Sequence, residues 1–420
     1  MVSLTKKEKM SYLAFAACFI AYVITALSRN TYTAAIAALV EENIISKPNA
    51  GTINALFNLF YGTSQIIGGF VSDKISPFKI IIIGLFGSVI ANMIMALSQG
   101  TFWIMAIGWS ISGIALFGMW PSIIRIIFNY ITDDFIKKAR LFIPHGLAVG
   151  TLLSYLVSSV ILNHFNWSGL FWFSVIMLTL TLIFFCISSS KVKNYPVIRE
   201  QVKSDNKTVD SKSLVGMLKI LVTSGFFIIA ITGIIRGFVS GIKSWVPTIV
   251  MELYGVSPGF GNLLATILLI VSLLAVFVVG FIYPKRCKNL CNALALLMAL
   301  PVPFLLILTS VGKINMWTAI ILFAVVETFA NSAGQLYNVE VSMSYSRYNM
   351  TGTIAGLFNA LLCLGGVITS YAYGVLGEHF GWNITILCLA VAAVAAVILL
   401  LITNPMWKKV IYDKGECHNE

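Results

Sequence analysis

Four basic side chains lie inside runs apolar enough to span a bilayer: Arg29 in ITALSRNTYTAAI, Arg125, and Arg236 with Lys243 in IIRGFVSGIKSW. The acid set well inside such a run is Glu327, with Glu340 near the end of the same run. An arginine in hydrocarbon costs at least a few kcal/mol and faces a cavity or a partner. Four cations against one deep acid leave an excess of positive charge, and the simplest neutraliser is an anion. Guanidinium forks bind tetrahedral oxyanions in a bidentate way and stay charged at any cellular pH.

Arg29 has no acid within ten residues on either side. Three readings compete for it: a structural pair with a buried acid, a helix end from which it snorkels, and a contact to an anionic substrate. Apolar chain continues from Ala34 to Val40, so Arg29 lies within the span and the substrate reading stands first. Tyr22 is seven residues earlier, two turns away on the same helix face, and would offer a hydroxyl or serve as a core aromatic. His145 sits four residues into the apolar run predicted over 141–163. It would donate to a phosphate oxygen and sense substrate charge near neutrality, or bond a neighbouring carbonyl. Glu327 would neutralise Arg125 or Arg236, or carry a proton, as intramembrane acids in transporters do. Gln335, Asn338 and Asn359 would bond substrate hydroxyls or bridge helices.

The elements that must hold these residues follow from composition. The chain has 420 residues, 58% hydrophobic and 10% charged, with a mean hydropathy of +0.91. Soluble domains carry about 25% charged residues. The apolar runs are continuous and long enough to span, which predicts transmembrane helices. Twelve are expected, at about 10–38, 53–72, 79–98, 102–129, 141–163, 168–188, 217–248, 259–283, 290–311, 315–339, 350–376 and 382–405. The first is read as a span, because no cleavable signal pattern precedes it.

Of the 28 Lys and Arg, four lie inside predicted helices and two, Lys47 and Lys313, on one face; the other 22 lie on the opposite face with both termini. This is the positive-inside pattern with cytoplasmic termini. It accounts for the net charge of +12 without a nucleic-acid partner. The seven cysteines form no disulfide framework, and Cys287 and Cys291 have no histidine or second pair beside them to make a metal site. No Walker A motif is present, so no cofactor is expected and uptake would draw on a gradient. No nucleophile–base pair suggests an enzyme.

The polar stretch 191–214 divides the helices six and six. The halves echo each other: NHFNW (163–167) and EHFGW (378–382), GGFVSDK (68–74) and VGFIYPKR (279–286), and Pro48 and Pro258 are offset by 215, 211 and 210 residues. The predicted organisation is a six-helix bundle over 1–190, a cytoplasmic linker over 191–214, a second bundle over 215–406 and a cytoplasmic tail over 407–420. Two parallel six-helix repeats describe the major facilitator fold, in which substrate binds between the halves near the midplane. Gly69, Asp73 and Lys74, with Lys79, resemble that superfamily's conformational motif between helices 2 and 3. Adding 211 to Arg29 gives Ser240, one turn from Arg236 on nearly the same face. Arginines from both halves converging on one cavity would suit a phosphate and would couple its binding to rocking.

Several stretches together resemble the organophosphate:phosphate antiporters, the family of glycerol-3-phosphate and hexose-phosphate transporters. They are SRNTYTAAIAAL, YGTSQIIGGFVSDK, GMWPSIIR, IPHGLAVG, SWVPT, and GTIAG followed by HFGW. The resemblance implies that Arg29 is the phosphate-binding arginine of helix 1, that Tyr61 and His145 line the site, and that Arg125 belongs to the helix 4 motif. Gln65 stands where the family often has lysine. The family's helix 7 arginine lies six residues before the tryptophan, where this chain has Val239 before Trp245; Arg236 and Lys243 are both left as candidates.

The expected function is exchange of a phosphorylated metabolite for phosphate by a monomer in a bacterial inner membrane. Two alternatives remain: proton-coupled import of a carboxylate such as a sugar acid, and a sugar-phosphate sensor that does not transport.

Overall fold

The computed structural model describes residues 5–197, 214–272, 275–283, 287, 289–345 and 351–412. Every regular element among them is helical. In chain order they are α1 (Lys6–Glu41), α2 (Lys47–Lys74), α3 (Pro77–Leu97), α4 (Phe102–Ala115), α5 (Met119–Tyr130), α6 (Asp133–Phe142), α7 (His145–His164), α8 (Trp167–Val192), α9 (Leu214–Thr223), α10 (Phe226–Gly241), α11 (Val246–Tyr254), α12 (Pro258–Ser272), α13 (Ala275–Ile282), α14 (Leu290–Ala299), α15 (Val302–Leu308), α16 (Met316–Met343), α17 (Thr351–His379) and α18 (Gly381–Trp407). Ten helical stretches among the described residues are long and apolar enough to cross a membrane, where the sequence predicts twelve. Two further helices, α2 and α17, are 28 and 29 residues long but are not among the ten.

Several predicted helices are interrupted, for identifiable reasons. The fourth, predicted unbroken over 102–129, stops at Ala115 and resumes at Met119. Gly118 between them has φ 58°, a left-handed conformation that only glycine adopts cheaply. The fifth begins at His145 rather than 141, after Pro144. The residues before it form α6, an extra short helix with Asp133 and Asp134 in its first turn and Arg140 in its last, the arrangement the helix dipole favours. The seventh breaks at Gly225, φ 75°, and again at the 3₁₀ turn Ile242–Ser244, just before Pro247.

The chain forms two compact units: Met1–Val202 with Val256–Thr266, and Lys203–Gly255 with Ile267–Glu420. In the first, α1 packs on α7 and α8, α2 on α4, and α3 on α4 and α8. Small residues make this possible. Ala14, Ala17, Ala21, Ala34, Ala35, Ala37 and Ala38 are buried along α1, and Gly150 of α7 lies directly against the Val23 carbonyl. A capping box starts α1: Glu8 N–H donates to Thr5 Oγ1 at 3.3 Å and Thr5 N–H to Glu8 Oε2 at 2.6 Å. In the second unit α10 packs on α16, α17 and α18, and α14 on α16 and α18. Gly233 and Gly241 of α10 sit against Phe358 and against Thr369 with Tyr373, so α10 and α17 approach closely.

The predicted linker over 191–214 lies mostly outside the described residues. Its start is ordered: α8 runs on to Val192, and Val197 N–H donates to the Asn129 carbonyl at 2.8 Å.

Candidate functional site

Within the first unit a pocket opens between α1, α2, the α4–α5 break and the start of α7. Its lining includes Tyr22, Arg29, Tyr61, Gln65, Met119 and Trp120. The close approach of α2 and α4 builds one wall. Gly113 leaves room for Phe57 O and Tyr61 N, which would lie 2.7 and 3.0 Å from a methyl group there. Tyr61 stacks on Phe57 at 5.8 Å between ring centres, and Phe57 on Trp109 at 5.4 Å. This column fixes the Tyr61 ring, and the Arg29 guanidinium lies 5.4 Å over its face. Across the pocket Tyr22 meets Trp120, ring centres 5.2 Å apart.

Arg29 is half-buried and makes no ion pair among the described residues. Its described partner is an aromatic face, which attracts a cation by about 0.5–2 kcal/mol, well short of neutralising it. The pocket lining holds two tyrosines, a tryptophan and an amide, and no acid. Such a site presents one uncompensated guanidinium, which stays charged and offers paired donors to an oxyanion.

The second unit carries another polar cluster. Lys243 Nζ lies 2.7 Å from Glu327 Oε1, and Ser240 Oγ donates to the same oxygen at 3.3 Å. Glu327 is fully buried, and its other oxygen, Oε2, has no hydrogen-bond partner. The ion-pair partner of Glu327 is therefore Lys243, where the sequence suggested Arg125 or Arg236; Glu327 acts on Arg236 only from beyond pairing distance. Arg236 donates from Nε to the Ala330 carbonyl at 2.8 Å and from an Nη to Asn331 Oδ1 at 3.3 Å. It lies flat against Gly334, where any side chain would overlap the guanidinium. Both of its described hydrogen-bond acceptors are neutral, and among the described residues no carboxylate lies within ion-pair distance of it, although Glu327 is near enough to act on its charge.

The structure thus brings Tyr22, Arg29, Tyr61 and Gln65 together in one pocket. His145 is not in that lining. It is the exposed first residue of α7, next to Gly146, whose Cα face lies against the Tyr22 ring. Arg125 donates to the Ile75 carbonyl at 3.2 Å, in the turn after α2, and does not meet Glu327. Gly69, Asp73 and Lys74 fall in the last turns of α2, with side chains outside the described residues, as is that of Asn359. Sequence reading missed Met119, Trp120 and Leu147 as lining, and Asn331 and Ser240 as partners. The signal for Trp120 was present in GMWP, a glycine and a proline flanking an aromatic in an apolar helix.

A family model described as the Major Facilitator Superfamily matches residues 18–370, and the chain belongs to that superfamily. It is a multi-pass membrane protein of the major facilitator type. A glycerol-3-phosphate transporter of Bacillus subtilis (strain 168) is 26% identical over 268 residues, 60% of this chain and 60% of that protein. The membrane sensor protein UhpC of Escherichia coli (strain K12) is 27% identical over 104 residues, 25% of this chain and 23% of that protein. A probable hexose phosphate transport protein of Chlamydia trachomatis is 28% identical over 116 residues, 28% of this chain and 25% of that protein. The chain thus matches 60% or less of the length of these curated relatives. Among solved structures, an inward-facing, unoccupied bacterial homologue of the human lysosomal transporter Spinster superposes with a TM-score of 0.77 at 15% identity, covering 98% of this chain and 100% of that one. A D-xylose–proton symporter superposes at 0.68 with 16% identity, covering 96% and 98%. These likenesses bear on the fold alone.

Proposed function

We propose that this protein carries a small phosphorylated metabolite in exchange for inorganic phosphate, by alternating access. The observation that carries the reading is Arg29: a half-buried guanidinium over the Tyr61 ring, in a pocket without an acid. Arg29 binds the phosphoryl group, with the Tyr22 and Tyr61 hydroxyls as further donors. Arg236 is the second unit's base for the anion, since its hydrogen-bond acceptors are neutral while Lys243 is held in the ion pair with Glu327. The names of the relatives, a glycerol-3-phosphate transporter and hexose phosphate transport proteins, support a phosphorylated substrate. The protein works as a monomer in a bacterial inner membrane, with both termini cytoplasmic. Gly69, Asp73 and Lys74 serve as the conformational motif of the exchange.

The test is counterflow in proteoliposomes loaded with phosphate, with labelled phosphate outside. Wild type exchanges, and Arg29→Lys loses at least roughly 100-fold, because lysine keeps the charge but not the fork. Folded wild-type protein that exchanges no phosphate overturns the reading. Binding without flux would make the chain a sensor.

One observation favours a second reading, proton-coupled import of a carboxylate. Glu327 is fully buried with an unbonded oxygen, as a proton carrier requires when it changes partner. In that case Glu327→Gln abolishes uptake driven by a proton gradient. A phosphate exchanger retains its exchange in the same variant.

A further inference from the structure

Gln65 lines the pocket beside Arg29, where the sequence makes it a candidate substrate ligand, yet its side-chain amide is already engaged. Its Nε2 donates to the Leu116 carbonyl at 3.1 Å. Leu116 closes α4, and the helix does not continue past it because Gly118 turns left-handed at φ 58°. An unbroken helix would give the Leu116 carbonyl the N–H of Trp120. Here it receives only a long 3.4 Å bond from Met119 N–H, so the break leaves an acceptor to be satisfied. Gln65 supplies the donor.

The rest of the α2 face is built for the same contact. A methyl group on Gly68 would lie 2.6 Å from Gly118 N and 3.2 Å from the Phe117 carbonyl carbon, so backbone meets backbone at the break. Ser64 Oγ reaches the Gly113 carbonyl at 3.3 Å, one turn earlier on α4. Phe57, Tyr61, Ser64, Gln65 and Gly68 recur at helical spacing along the stripe that follows α4 through its interruption. The interruption in turn sets what faces the pocket: Leu116, Met119 and Trp120 all line it, and Trp120 rests on Tyr22.

We infer that Gln65 is a positioning residue for substrate selection: by holding the broken fourth helix at the Leu116 carbonyl, it shapes the Leu116–Met119–Trp120 wall that reads the organic part of the anion, while Arg29 reads the oxyanion. This rests on the phosphate-exchange reading and adds a division of labour to it. It also accounts for a neutral amide beside Arg29, because the requirement at position 65 is a donor to a carbonyl, not a second charge.

The division separates two substrates. Inorganic phosphate has no organic part and does not need the wall; an organophosphate needs both. The experiment compares wild type with Gln65→Met, which keeps length and removes the donor. Phosphate self-exchange in proteoliposomes is titrated with glycerol 3-phosphate and glucose 6-phosphate as competitors. The expected result is competition by the better organophosphate weakened roughly tenfold more than phosphate self-exchange is, the scale of a changed apolar wall. Parallel loss of both makes Gln65 an oxyanion ligand and overturns the inference, as does competition unchanged in the variant or absent in wild type.

A second readout needs no transport. With 5-fluorotryptophan incorporated, the ¹⁹F resonance assigned to Trp120 by Trp120→Phe must move in ligand-free Gln65→Met and return in Gln65→Lys, which restores a donor. An unmoved resonance overturns the inference. If wild type exchanges no phosphate, the exchange reading fails and this resonance alone decides the role of Gln65.

Discussion

Arg29 in the first unit and Lys243 in the second are both cations in apolar helices, but they keep different company. Arg29 faces an aromatic ring 5.4 Å away and has no acid. Lys243 ends 2.7 Å from a fully buried carboxylate. Arg236, six residues before the 3₁₀ turn that carries Lys243, lies between the two: its hydrogen-bond acceptors are a carbonyl and an amide, and Glu327 acts on its charge without pairing with it. A cation's sequence neighbourhood therefore does not tell whether its charge is available. That depends on what lies across the helix packing, and only an uncompensated cation gains much by meeting an anion.

The largest effect is expected where compensation is removed. Lys243→Met strands Glu327 as a buried charge, and loss of one partner of such a pair costs about 3 kcal/mol, the lower end of the usual range because the lysine side chain is 35% exposed. The midpoint of thermal unfolding in detergent should fall sharply. Lys243→Met with Glu327→Gln should recover most of the loss and retain phosphate exchange. A double variant that folds but does not exchange would move Lys243 from a compensated pair to the anion site. Next in size is Gly334→Ala. The added methyl displaces the Arg236 guanidinium from its two acceptors, so phosphate affinity should fall roughly tenfold, as for a lost charge-assisted contact of about 1.4 kcal/mol, while the unfolding midpoint changes little. Unchanged affinity would set Arg236 apart from Arg29. The smallest effect is at Tyr61. Tyr61→Leu removes the face under Arg29 and should weaken phosphate binding a few-fold, about 0.5–1 kcal/mol. Tyr61→Phe keeps the face, and any loss it causes measures the hydroxyl alone.

Much of the first pocket was legible in the sequence. Arg29 is conspicuous because nothing nearby in the chain neutralises it, and the helical period puts Tyr22 beside it. What was not legible depends on packing. A lone glycine in an apolar run is weak evidence for a break. Gly118 interrupts its helix in the left-handed conformation where the backbone of Gly68 of α2 lies against it, and Trp120 lines the pocket just beyond the break. The Lys243–Glu327 pair joins residues 84 apart, and no local pattern distinguishes Lys243 from Arg236 as the partner. His145 was expected inside a helix that began at 141; Pro144 ends one short helix and starts the next, which leaves the histidine at an exposed helix end.

The isolation of Arg29 also bears on how the protein is made. α1 leaves the ribosome before α2, so it reaches the membrane before the Tyr61 ring exists. A mid-helix arginine costs about 2.5–3.5 kcal/mol to insert, and each Leu, Ile, Phe or Val returns about 0.3–0.6 kcal/mol. Leu13, Phe15, Phe19, Ile20, Val23, Ile24 and Leu27 precede the arginine, and α1 is 36 residues long. That apolar lead offsets about as much as the guanidinium costs, so α1 enters the bilayer unaided, and the charge waits there for the helices that will surround it.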